Sequence, residues 1–159
     1  MINKKNFHIQ KIKNDILQLK DKKYIIGFTN GCFDLLHKGH IKLLVESKKK
    51  CDYLIVGLNS DSSIKNLKGS DRPIDDQTKR ISNLSNIEVV NAIILFSEEN
   101  PLELIMQIKP DILFKGADYE KKNIIGREFI EENGGKVELI DILNGYSTTN
   151  IIKNSRIKN

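Results

Sequence analysis

Residues 24–40 read YIIGFTNGCFDLLHKGH, and the fold turns on this stretch. Tyr24–Phe28 is a short apolar run rich in β-branched and aromatic side chains, which predicts a buried strand. Thr29–Gly31 predicts a turn, with Gly31 bending the backbone where a side chain would interfere. The loop that follows delivers His37 and His40 to the mouth of a helix. The two are three residues apart, so they share a face once the helix begins. A helix N-terminus carries unpaired N–H groups and a positive dipole end, which suits phosphate. Two imidazoles beside free amides, at the C-terminal end of a parallel strand, predict a site for a polyphosphate undergoing substitution.

Composition narrows the class. A chain of 159 residues is one domain with room for a core, and 39% apolar with 30% charged residues fits a globular protein. No apolar run approaches a membrane span, and no apolar region follows the lysine-rich start as a signal peptide requires. Cys32 and Cys51 make no secreted disulfide framework, so the expectation is two reduced thiols in a cytoplasmic protein. The Cys32 thiol reads as a small packing group. The formal charge of +5 resides in residues 1–23, which hold seven lysines and two aspartates. The remainder is balanced, so neither a nucleic-acid footprint nor a membrane surface is expected.

Outward from the opening stretch, the chain alternates. Residues 3–20 predict an amphipathic helix with Ile9, Ile12, Ile16 and Leu19 on one face. We therefore expect an N-terminal helical extension over 1–22 and a main domain over 23–159. Helix continues over Ile41–Lys50 with Leu43, Leu44 and Ser47 inward. Tyr53–Leu58 is a second strand, and Asn59-Ser60-Asp61 a turn and helix cap. Residues 65–76 (KNLKGSDRPIDD) read as a polar, mobile loop. Asp75 or Asp76 caps a helix bearing Arg80, Ile81, Leu84 and Ile87. Asn91–Phe96 is a third strand. Asn100-Pro101 opens a helix to about Lys109 with Leu102, Ile105 and Ile108 inward. Ile112–Lys115 is a fourth strand, residues 123–133 a helix stopped by Asn133-Gly134-Gly135, and Val137–Ile140 a fifth strand. Residues 145–149 (GYSTT) lead into a last helix with Ile151 and Ile152 inward.

Strand and helix in alternation predict an α/β fold, a Rossmann-like open parallel sheet of about five strands. No G-x-G-x-x-G follows the first strand, so a dinucleotide-binding dehydrogenase is not supported. Such sheets bind ligands beyond the carboxyl ends of their strands. The histidine loop, Asn59–Asp61, KGADY and STT all follow strand ends, which predicts one composite site.

The string GCFDLLHKGH resembles the G-x-F-D-x-x-H-x-G-H signature of the cytidylyltransferase-like nucleotidyltransferases. Further strings, NSDSSIKNLKGSDRP, KPDILFKGADY, ENGGKVELI and YSTTNII, are similar to the adenylyltransferase domain of bacterial ADP-heptose synthases, across roughly residues 22–155. That resemblance implies transfer of AMP from ATP to D-glycero-D-manno-heptose 1-phosphate, with pyrophosphate released and Mg²⁺ carried by the triphosphate. It also implies a separate sugar kinase to supply the substrate. A homodimer is common in the family.

The resemblance implies roles residue by residue. His37, His40, Lys42, Lys68 and Arg72 would form the catalytic set, the last two closing over phosphates as a basic lid. Thr29, Asn30, Gly31, Cys32, Phe33, Asp34 and Gly39 would line the nucleotide pocket with Lys115, Gly116, Asp118 and Tyr119, and capping of the following helix is the alternative for the last two. Ser147, Thr148 and Thr149 would cradle the β- and γ-phosphates, and N-capping is their structural alternative. Asn59 and Asp61 would meet the acceptor. Two readings stand for Arg80: phosphate contact, or an ion pair with an acid such as Asp34. Asp34 itself reads as an orienting group and not as a base. Zinc held by Cys32, His37 and His40 ranks well below phosphate, since no fourth ligand stands at the usual spacing. The rival readings are a cytidylyltransferase for glycerol 3-phosphate, a non-catalytic nucleotide-binding subunit, and nucleic-acid binding through the basic leader.

Overall fold

The computed structural model describes Lys5, residues 8–117 and residues 123–141. Its elements run α1 (Ile9–Asp21), β1 (Ile26–Gly31), α2 (Lys38–Lys48), β2 (Tyr53–Asn59), α3 (Asp61–Lys68), α4 (Gln77–Ser85), β3 (Ala92–Phe96), α5 (Leu102–Ile108), β4 (Ile112–Gly116), α6 (Arg127–Glu132) and β5 (Lys136–Ile140). The five strands form one parallel sheet in the order β3-β2-β1-β4-β5. This is the expected Rossmann-like fold. The strand order reverses between β1 and β4, which puts the crevice of such sheets beside the C-terminal end of β1.

Alternation along the strands divides the core into two layers, because successive side chains leave opposite faces of the sheet. Ile26 and Phe28, Ile55, Ala92 and Ile94, Leu113 and Val137 join one cluster with α1, α5 and α6. Leu54, Val56, Leu58, Ile93, Ile112, Phe114 and Ile140 join the other with α2 and α4. Gly27 opens β1's second face for close packing. A Cβ there would stand 2.6 Å from the Phe114 ring and 2.7 Å from Cys51 Sγ.

Several boundaries differ from the sequence reading. Thr29–Gly31 is strand, not turn, because Thr29, Asn30 and Gly31 pair in register with Val56, Gly57 and Leu58. Tyr24 and Ile25 lie before β1 and are exposed. α1 begins at Ile9, six residues later than read, and buries Ile12 and Ile16 against the sheet. Lys5 lies ahead of it at the sheet's edge, where its carbonyl accepts the Ile93 N–H at 2.7 Å. The segment 65–76 is not loop throughout: α3 continues through Lys68 and ends at Gly69, whose φ of 104° suits glycine. In α5 the inward residues are Leu104, Ile105 and Ile108, while Leu102 faces out. α6 covers 127–132 only, and the predicted last helix lies outside the described residues.

Candidate active site

The chain leaves β1 at Gly31 and reverses through two non-glycine residues in the left-handed region, Phe33 (φ 48°) and Leu35 (φ 51°). Such residues cost about 1–3 kcal/mol each and persist where packing over-determines them. Here Phe33 is buried in the core, with its ring 5.1 Å from that of His40. The reversal turns Asp34 inward and sets His37 as the N-cap of α2.

The two histidines cap each other. His37 Nδ1 accepts the N–H of Gly39 at 3.1 Å and of His40 at 3.4 Å, and His40 Nδ1 accepts the N–H of His37 at 3.3 Å. Their rings stack with centroids 3.6 Å apart. The sequence reading left these amides for phosphate; the imidazoles take them instead. A backbone N–H can only donate, so both Nδ1 atoms are acceptors and a neutral ring carries its proton on Nε2. Burial lowers the pKa of His37, and burial followed by the charge of His37 lowers that of His40 to about 3. The site thus holds two neutral imidazoles, each with an Nε2–H donor.

Asp34 is 1% exposed and organises the basic segment. Its carboxylate accepts the N–H groups of Ile74 and Asp75, both at 2.8 Å, and lies 3.3 Å from Arg72 Nε. The Arg72 side chain is 11% exposed, and its Nη2 is buried without a hydrogen-bond partner. Lys68 acts electrostatically on both His40 and Cys32, which places its charge beside the histidine loop. The Cys32 thiol is pushed up by burial, so it is protonated and not a nucleophile near neutral pH.

Arg80 lies deep between the strand ends and α4. It is 0% exposed, and Nε, Nη1 and Nη2 bond Asp75 O, Cys32 O, Asn59 O and Asp61 Oδ1 at 2.7–3.0 Å. The guanidinium donates to protein oxygens, and the acid it pairs with is Asp61. Asp61 is thereby engaged, and Asn59 is buried with its amide on Ser63 Oγ at 2.9 Å. Thr29 is sealed within β1 and Phe33 within the core, so neither side chain is presented to a ligand. Gly39 is buried in the histidine cap, and Lys42 is half-buried in α2. Across the switch point, Lys115 Nζ donates to Asn30 Oδ1 at 2.6 Å, tying the end of β4 to that of β1, with Gly116 buried beside them. Asp118, Tyr119, Ser147, Thr148 and Thr149 lie outside the described residues. The sequence reading missed Asp75 as Asp34's partner, for which no local pattern gives a signal.

The family model described as cytidylyltransferase-like matches residues 28–154. Similar curated proteins are named bifunctional protein HldE. That of Bradyrhizobium diazoefficiens is 48% identical over 131 residues, 82% of this chain and 26% of that protein. That of Rhodopseudomonas palustris strain BisA53 is 51% identical over 127 residues, 80% of this chain and 26% of that protein. The chain therefore spans about a quarter of the length of the curated relatives it matches. Among solved structures, the lipopolysaccharide core biosynthesis protein of Thermoplasma volcanium is 33% identical with a TM-score of 0.63, over 78% of this chain and 99% of that one. A pantoate-beta-alanine ligase from Francisella tularensis, 18% identical with a TM-score of 0.68 over 92% of this chain and 71% of that one, shares the fold. With the signature loop folded at the switch point of this sheet, the chain belongs to the cytidylyltransferase-like family and is a nucleotidyltransferase.

Proposed function

We propose that the chain transfers AMP from ATP to D-glycero-D-manno-heptose 1-phosphate, forming ADP-heptose and pyrophosphate for lipopolysaccharide or another surface glycan. The observation that carries the chemistry is the reciprocal cap of His37 and His40, which aims two neutral Nε2–H donors from the end of β1. The choice of sugar is supported by the resemblance of the strings NSDSSIKNLKGSDRP, KPDILFKGADY and YSTTNII to the adenylyltransferase domain of ADP-heptose synthases, and by the 48–51% identity to the HldE proteins. An oxygen of the sugar phosphate attacks the α-phosphorus, the bond from that phosphorus to the β-bridging oxygen breaks, and pyrophosphate departs. The nucleophile is already anionic near neutral pH, so no general base is required. The protein's contribution is position and stabilisation of charge on phosphoryl oxygens. His37 and His40 donate to those oxygens, and Lys68 and Arg72 supply positive charge beside them.

Among the described residues no group of three His, Cys, Asp or Glu side chains converges as metal ligands. Mg²⁺ fits as an ion held mainly by triphosphate oxygens, where it would neutralise charge on the leaving group. A separate sugar kinase would supply the phosphorylated acceptor. No helix of the described residues is long and apolar enough to cross a membrane.

The test is pyrophosphate release with Mg²⁺ over four nucleoside triphosphates and a panel of acceptors. The panel holds both anomers of the heptose 1-phosphate and glycerol 3-phosphate. Release with ATP and a heptose 1-phosphate is expected. Release confined to CTP and glycerol 3-phosphate would overturn the assignment of substrate.

A further inference from the structure

Two buried side chains reach in opposite directions between the histidine loop and the segment before α4. Asp34 leaves the histidine loop and accepts the N–H of Asp75. Arg80 leaves α4, donates to the Asp75 carbonyl at 3.0 Å, and continues to the Cys32 carbonyl at 2.8 Å. Asp75 is thus gripped at its amide by one loop's carboxylate and at its carbonyl by a guanidinium that also holds that loop. The same guanidinium takes the Asn59 carbonyl at the end of β2 and the Asp61 carboxylate in α3. We propose that Asp34 and Arg80 form a buried clasp that sets the spacing between the histidine pair and the basic segment Lys68–Arg72, making Arg80 a positioning residue for nucleotidyl transfer. This rests on the reaction proposed above.

The residue type fits the task. Carbonyls at the carboxyl ends of β1 and β2 point away from the sheet ladder and need donors when buried. A planar guanidinium offers five N–H groups in fixed directions, enough to meet three carbonyls and a carboxylate at once. An ammonium is a point charge and cannot span them. The rest of α4's inner face is apolar, with Ile81 and Leu84 in the core, so packing alone does not call for a cation there. The clasp also explains the posture of Arg72: Asp34 holds its Nε and leaves Nη2 buried and unsatisfied. Asp34 stands between the two: it leaves the histidine loop, accepts the Asp75 N–H and lies 3.3 Å from Arg72 Nε. In-line displacement is sensitive to that spacing, since a misplacement of about 1 Å can lower a rate about 100-fold.

The test compares the full chain with Arg80→Lys and with Asp61→Asn. Asp61→Asn keeps a side-chain oxygen that can accept from Arg80 Nη2, and the Asp61 side chain is 31% exposed, so the second variant is the milder of the two. Two experiments are run on folded protein: steady-state kinetics giving kcat and KM for ATP, and the His40 imidazole titration followed by NMR without any substrate. Arg80→Lys is expected to lower kcat about 100-fold with KM for ATP within about threefold, and Asp61→Asn to lower it about tenfold. The His40 titration, held at about 3 by burial, is expected to move toward 6.5 in Arg80→Lys as the loop opens to water. A fall in melting temperature with unchanged kcat per folded molecule and an unmoved titration would reduce Arg80 to a purely structural residue and overturn the proposal. Should Arg80→Lys not fold, the same two readouts on Asp61→Asn decide. A wild-type chain inactive on every sugar phosphate, with the titration still displaced in the variant, would remove the substrate assignment and leave the clasp standing.

Discussion

His37 and His40 are each other's helix cap: each imidazole Nδ1 accepts the other's backbone N–H, and the rings stack 3.6 Å apart. One arrangement therefore starts α2, selects the tautomer of both rings, and turns both Nε2–H groups to donor duty. The cap and the chemistry can be separated by substitution.

His40→Gln keeps a side-chain oxygen suited to accept the His37 N–H, since Gln at N3 completes a capping box. It does not restore an Nε2–H at the same place. Urea unfolding of this variant is expected within about 1 kcal/mol of wild type. Its kcat is expected to fall about 100- to 1,000-fold, the range for loss of one oriented donor to a developing charge. Rates near wild type would remove His40 from the reaction.

The buried imidazoles also set a pH dependence of stability. Both pKa values are depressed in the folded state, so below 6.5 the unfolded chain binds more protons than the folded one. Their contribution is complete above 6.5 and is lost as pH falls toward the His40 value of about 3. Urea midpoints for wild type are expected to drop between pH 7 and pH 5, and the drop should be smaller in His40→Gln. Equal slopes in both proteins would show that His40 titrates alike in the folded and unfolded states.

Gly27→Ala tests the packing of the sheet. The new methyl would meet the Phe114 ring and Cys51 Sγ at distances no Cβ tolerates. A loss of about 1–3 kcal/mol is expected from overpacking, measured by denaturant unfolding.

Ile16→Ala tests whether α1 is part of the core. Ile16 is buried with Ile12 in the cluster that holds Leu104, Ile105 and Ile108. A loss of about 2–5 kcal/mol is expected, with kcat of the folded fraction unchanged, because α1 lies away from the histidine loop. A stability change below about 0.5 kcal/mol would make α1 a loosely attached appendage.

Much of this architecture was legible in the chain. Continuous apolar runs over Leu54–Leu58 and Ala92–Phe96 mark strands with two buried faces, and the helices between them require parallel pairing. The histidine loop was legible because its residue types and spacing are confined to ten consecutive positions. Boundaries were harder. Thr29–Gly31 has the composition of a turn, and only pairing with β2 keeps it extended. Leu102 looked inward because it sits at helical spacing with Ile105, yet it precedes the first turn that contacts the sheet.

The sequence by itself determined the order of strands and helices, the parallel sheet, and the placement of the signature at the end of β1. These follow from short-range periodicity and chain chirality. Tertiary structure alone decided which atoms the polar side chains meet. Arg80 reaches Cys32 across 48 residues and Asp34 reaches Asp75 across 41. Whether a long side chain faces solvent, a phosphate or three carbonyls depends on how separate loops converge at the sheet's edge. The same holds for the histidines: their spacing is written in the chain, but the stacked rings, the tautomer and the depressed pKa values come from burial beside Phe33 and from the cap they form together.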